Sequence, residues 1–296
     1  MRTELIVKWG VRLLWAAMPF TVGPSLADLL DGASRPVQVV GSTGLWAAWA
    51  AGMVATAVAL PVSLTVLRVL APAGLVVAVW SAVAGDNASA SILAIGWATV
   101  VAAWIFSPPL GALCVNGPAY PNERRFLLRV PAAMLFGPLG VVWALALAGV
   151  AVGPLLLAAE QWVLGGFVTV VGAALAYVLF RGIHDLSRRW VVFVPAGIVL
   201  HDPVTITDPV LLRRQSIVRV GPAVTGTDAL DLSQKAPGLA LAIDLSEEAE
   251  LTRMRPGRRE GEPVKATALI VTPTRPGALL EEAGRRRLPV RKAGSA

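Results

Sequence analysis

Charge is scarce in this chain. Only 15% of its 296 residues are Asp, Glu, Lys or Arg, against roughly 25% in soluble domains. A lone cysteine, Cys114, excludes an internal disulfide framework and reads as an apolar filler near a helix end. Histidine occurs twice, as His184 and His201. Neither has a second His or a Cys within helical reach, so no metal site is expected. We expect His184 on a polar juxtamembrane helix and His201 at the end of a strand. No Gly-x-Ser-x-Gly elbow, phosphate loop or His-Glu-x-x-His occurs, so no catalytic, cofactor-binding or metal residue is assigned. The net charge of +7 comes without zinc-finger spacing, a basic helix with heptads or an aromatic RNA-binding signature. Nucleic acid is therefore not the expected partner.

What is present is apolar. Hydrophobic residues make up 55% of the chain. The charges collect in its last third: 18 of the 26 Lys/Arg and 13 of the 19 acids follow residue 180. Two segments in two solvents explain that split. A helical span needs about 20 mainly apolar residues. Candidates lie at 11–30, 45–62, 69–83, 90–106, 130–158 and 162–180, giving a transmembrane domain over 1–182 and a linker at 183–189. The first is interrupted by Pro19, Pro24 and Asp28, and the third is short, with Arg68 in the turn before it.

Six spans put both ends on one side, and the basic residues choose it. Arg2, Lys8 and Arg12, then Arg68, then Arg124, Arg125 and Arg129, then Arg181, Arg188 and Arg189 fall on every second segment, as the positive-inside rule requires. The alternate loops carry Arg35 with Asp31, Asp86 and Glu160. This predicts a multi-pass plasma-membrane protein with cytoplasmic termini. Trp15, Trp46, Trp162 and Trp190 fall near predicted span ends, where an amphipathic ring prefers the interface. A rival reading makes residues 1–27 a signal peptide cleaved after Ser25-Leu26-Ala27; the later segments then keep their orientation. Gly149 and Gly153 form a small-xxx-small pair, read as packing within the chain rather than a dimer seam.

From Trp190 the pattern becomes that of strands. Trp190 to Val194, the turn Pro195-Ala196-Gly197 and Ile198 to His201 read as a hairpin. Further short strands are expected at 210–213, 217–220, 239–245, 250–254 and 266–271. Thr274 then caps a helix whose first turn holds Pro276. Short strands closed by one helix, over 190–288, describe a small β-barrel or sandwich. The basic end, 289–296, is expected to be a disordered tail.

Arg189-Trp190-Val191-Val192-Phe193-Val194-Pro195-Ala196-Gly197, Leu200-His201-Asp202-Pro203 and Val271-Thr272-Pro273-Thr274-Arg275-Pro276-Gly277 resemble a bacterial pleckstrin-homology-like domain. With the loop from Asn116 to Phe126, the last two-thirds of the chain resembles an uncharacterised family of actinobacterial integral membrane proteins that carry this domain at the C-terminus. The resemblance implies seven strands and a C-terminal helix. It implies no activity, since fold alone does not fix function.

The spans hold almost no ionisable residues, which disfavours an ion or proton path. The candidate contacts for lipid or partner are basic: Arg124, Arg125 and Arg129 beside the bilayer, and Arg213, Arg214 and Arg219 on the early strands. Arg285, Arg286 and Arg287 end the last helix. Each such residue near an anionic leaflet is worth about 1 kcal/mol. Arg124 and Arg125 are alternatively poised to dock acids such as Glu247 or Glu248. The leading expectation is a non-enzymatic membrane scaffold whose soluble module contacts anionic phospholipid head groups or a cytoplasmic protein. The alternatives are a transport or export component regulated by that module, and a membrane enzyme with polar residues around Tyr120, Asn122 and Glu123.

Overall fold

The computed structural model describes residues 2–84, 87–224, 229–254 and 261–291. Asp86 and residues 292–296 of the expected tail lie outside them. The chain forms two compact units. The helical unit comprises 1–117 with 141–184, and the β unit comprises 118–140 with 185–296. The expected boundary at residue 182 is therefore incomplete, because the β unit also takes a segment from between two apolar helices.

The helical unit opens with three pieces rather than one span: α1 (Arg2–Ala16), α2 (Met18–Thr21) and α3 (Gly23–Asp31). Pro19 and Pro24 occupy the first turns of α2 and α3. A proline ring tolerates a helix start but clashes inside one. There follow α4 (Arg35–Ala57), α5 (Pro61–Ala84), α6 (Ala88–Ile105), the shorter α7 (Pro108–Asn116), and, after the segment given to the β unit, α9 (Leu139–Ala158) and α10 (Trp162–Leu186). Five of these, α4, α5, α6, α9 and α10, are long and apolar enough to cross a membrane. Phe167, Val170 and Val178 of α10 are among many large apolar side chains left exposed. Water would not tolerate such a surface, but a bilayer requires one.

Three expected spans shift. The one expected over 45–62 is α4, which starts at Arg35, where Pro36 sits in its first turn, and ends at Ala57. Helix α5 is not short: it begins at Pro61 and takes in Arg68, which lies in its second turn-pair and not in a turn. The span expected over 130–158 begins only at Leu139. The linker 183–189 begins as helix, since α10 continues to Leu186.

Indole groups fasten α1 to its neighbours. Trp15 donates to Trp49 O at 2.9 Å and Trp49 donates back to Trp15 O at 3.1 Å. Trp97 donates to Leu14 O and Trp104 to Val7 O. Trp15 is 2% exposed, so it is a packing residue and not an interfacial anchor; a buried indole must find an acceptor. Trp46 and Trp162 are exposed. Gly149 of α9 meets Gly172 of α10 so closely that a Cβ would fall 2.5 Å from the opposing carbonyl. The small-residue pair thus serves packing within the chain.

The β unit contains two four-stranded sheets. The first has the order β1 (Arg124–Leu127), β2 (Trp190–Val194), β3 (Gly197–His201), β4 (Val210–Arg213), all antiparallel. The second uses β5 (Ile217–Pro222), β6 (Leu230–Asp231), β7 (Leu241–Arg253) and β8 (Glu262–Val271), in the order β5-β7-β8-β6. The strands expected at 239–245 and 250–254 are one strand, β7, with a bulge between Asp244 and Ala249. The short helix α8 (Ala132–Leu135) follows β1, and α11 (Pro276–Arg285) closes the unit. Arg275, not Thr274, precedes α11 as its cap; the Thr274 N–H is spent on Leu127 O. Alternate residues of both sheets, with Leu279 and Ala283 of α11, fill one core.

Two features depart from the expected domain. First, β1 comes from the stretch read as a polar loop. Phe126 and Leu128 are buried in the core, and Phe126 meets Phe193 edge-on at 5.5 Å. Second, the expected tail is partly ordered. Val220 donates to Pro289 O and Arg291 donates to Val220 O, so 289–291 covers the outer edge of β5.

Candidate functional site

The basic candidates do not form one cluster. Arg124 and Arg125 lie on β1, while Arg213 ends β4, at the opposite edge of the same sheet. Three strand spacings of about 4.8 Å separate those edges, roughly 14 Å. Arg125 holds Glu123 at 3.1 Å and lies over the Trp190 ring at 5.4 Å. The segment joins the sheet by the pairing of β1 with β2. Arg219 is engaged by Asp244, with Nε at 2.6 Å from the carboxylate. Arg129 donates its N–H to Thr272 O, and its guanidinium lies over Gly238. That glycine has φ +122, and a Cβ there would fall 2.8 Å from Arg129 Nε. Arg213 and Arg214 are exposed. Apart from the Arg214 N–H, which donates to Ala196 O, they face solvent at the end of β4.

The best-built polar group in the β unit is Arg189, expected only as a topology signal and as the first residue of the Arg189–Gly197 motif. Its side chain and that of Asp202 are 1% and 0% exposed. Nε donates to Oδ1 at 2.7 Å and Nη2 to Oδ2 at 2.8 Å. Nη1 donates to Arg129 O at 2.6 Å and Nη2 also reaches Leu232 O at 3.4 Å. The fork is thus bidentate, the geometry that makes Arg–carboxylate pairs strong. It ties the β1 segment to the hairpin and to the stretch after β6. The signal was present: pairing Trp190 with His201 puts residues 189 and 202 opposite each other one step further along.

His201 ends β3 as expected and stacks on Trp190 at 5.2 Å. Burial, then the charge of Arg188, holds its imidazole below the ordinary range, outweighing Asp202. His184 lies in the last turn of α10 and meets Thr65 Oγ1 at 2.8 Å. The polar trio near residue 120 is occupied with holding its own turn: Glu123 accepts from the Tyr120 N–H and from Arg125, and Asn122 O accepts from Arg286. Among the described residues no group of three His, Cys, Asp or Glu is placed to hold a metal. Asp28 is exposed on α3.

A cavity of about 360 Å³ lies in the helical unit between the broken α1–α3 segment, α4 and α5. That is within the range of roughly 300–1,000 Å³ usual for small-molecule sites. Its walls include Met18, Leu26, Leu45, Trp49 and Val77, and its one hydroxyl, Ser42, is spent on Gln38 O. It offers hydrocarbon rather than a wet path.

No family model, curated protein or solved structure matches this chain.

Proposed function

We propose that the chain is a plasma-membrane scaffold whose pleckstrin-like β unit lies on the cytoplasmic side and contacts anionic phospholipid head groups through Arg213 and Arg214. The observation that carries this reading is the contrast among the six candidates. Arg125 and Arg219 are bound to acids of their own unit, Arg129 is packed on Gly238 and Arg124 is half-buried on β1. Arg213 and Arg214 remain exposed side by side. A transport role is less well supported, because the cavity in the helices is apolar. A protein partner bearing acidic residues is the other outcome of the same test.

The test uses the full chain in vesicles, with a fluorophore at Gln215 and quencher-labelled lipid. Two arginines at about 1 kcal/mol each amount to roughly a 30-fold change in the contact equilibrium. Quenching should be stronger in anionic than in neutral vesicles, fall with salt, and be lost in Arg213→Gln/Arg214→Gln. Unchanged quenching in the double variant would refute the lipid contact and turn the reading toward a protein partner.

A further inference from the structure

Arg68 is an ionisable side chain set well inside an apolar helix, seven residues past the start of α5 at Pro61. Its Nε is buried without a hydrogen-bond acceptor. The guanidinium lies over the Phe106 ring at 5.7 Å. Arg12, at the same end of the helical unit, shows the usual solution: it donates to Thr56 O and Ala57 O and caps α4. Arg68 has no such outlet.

We propose that Arg68 holds the phosphodiester of an anionic phospholipid at the end of the helical unit where α5 begins. Depth and direction agree. Seven residues of helix correspond to roughly 10 Å. A helical side chain leans toward the helix N-terminus, and a long basic one reaches further to keep its head near the interface. The guanidinium therefore comes to the level of the head groups of that leaflet, where the available anions are lipid phosphates. A planar fork suits two phosphate oxygens. An ionisable group inside a membrane segment normally meets a counter-charge; here the chain supplies an aromatic ring, and the lipid supplies the charge. This site is independent of Arg213 and Arg214.

The experiment is native mass spectrometry of the full chain in a neutral detergent, with added phosphatidylglycerol, phosphatidylcholine or inorganic phosphate. The wild-type chain should retain phosphatidylglycerol over phosphatidylcholine, and Arg68→Met should bind phosphatidylglycerol at least tenfold more weakly with phosphatidylcholine unchanged. Arg68→Lys, which keeps the charge without the fork, should fall between. Inorganic phosphate should not displace the lipid. Arg213→Gln/Arg214→Gln should keep the Arg68-dependent adduct, so the failure of one proposal is distinguishable from that of the other. Equal retention of phosphatidylglycerol by Arg68→Met and wild type overturns the inference, as does displacement by inorganic phosphate. Should Arg68→Met not fold, Arg68→Lys with wild-type affinity overturns the fork-to-phosphate contact.

Discussion

Replacing Asp202 by Ala leaves the Arg189 guanidinium buried with one carbonyl at 2.6 Å, a weaker one at 3.4 Å and no counter-charge. Both partners are almost wholly excluded from water. Breaking such a pair from one side costs about 3–5 kcal/mol, because the remaining charge keeps its desolvation penalty. At about 1.4 kcal/mol per factor of ten, amide hydrogen exchange through opening of the β unit should accelerate roughly a hundred- to several-thousand-fold. The effect should be seen by mass spectrometry of the full chain in peptides covering 124–129 and 190–201, whose backbones pair across β1, β2 and β3. Peptides of α9 and α10 supply the internal reference. The double variant Arg189→Met/Asp202→Leu should recover most of the loss, since replacing a buried pair by apolar residues is often neutral. Exchange in Asp202→Ala no faster than in Glu250→Ala, which alters an exposed pair with Lys265, would refute the claim that this fork holds β1 in place.

Two further outcomes follow from the same unit. A fragment of residues 187–296 lacks β1, so it exposes the edge of β2 and vacates the places of Phe126 and Leu128. At about 1.5–3 kcal/mol for each large side chain, it should aggregate or show molten circular dichroism, whereas a fusion that restores 118–132 should fold; equal folding of the two refutes the role given to β1. His201 has a depressed folded pKa, so the native state prefers the neutral ring. Its stabilising effect is complete above the ordinary value of about 6.5 and is lost as pH falls through the folded value. His201→Gln should flatten the thermal-stability profile of the β unit below pH 6.5, and an unchanged slope would count against it.

Much of this architecture was legible in the residues, for reasons that also explain what was not. Long apolar runs announce helices because each carries its own hydrogen bonds, so α6 and α10 lie near the expected bounds, whereas α4 starts ten residues before its apolar run, at Arg35. Charge is a poor marker of helix ends here: Arg68 suggests a turn, but the turn lies at 58–60. The hairpin β2–β3 is readable from its turn, and its register places Arg189 opposite Asp202. Strand β1 is four residues long and its partner is more than sixty residues away. Its alternation is too brief to signal a strand, and only the tertiary partner makes it one. The apolar cavity and the unmatched Arg68 depend on which faces of separate helices meet, which periodicity in one helix does not encode.

The discontinuity of the β unit has a consequence for biosynthesis. Residues 118–140 leave the ribosome before α9 and α10, and the strand they contain must wait for β2. If both helices insert, β1 and β2 end on one side of the bilayer and can pair. If only one inserts, the membrane itself keeps them apart, and Arg189 and Phe193 never meet their partners. The fold of the β unit is thus a parity check on membrane insertion: a mis-threaded chain carries an unfinished sheet, exposed to proteases, while a correctly threaded one closes and hides it.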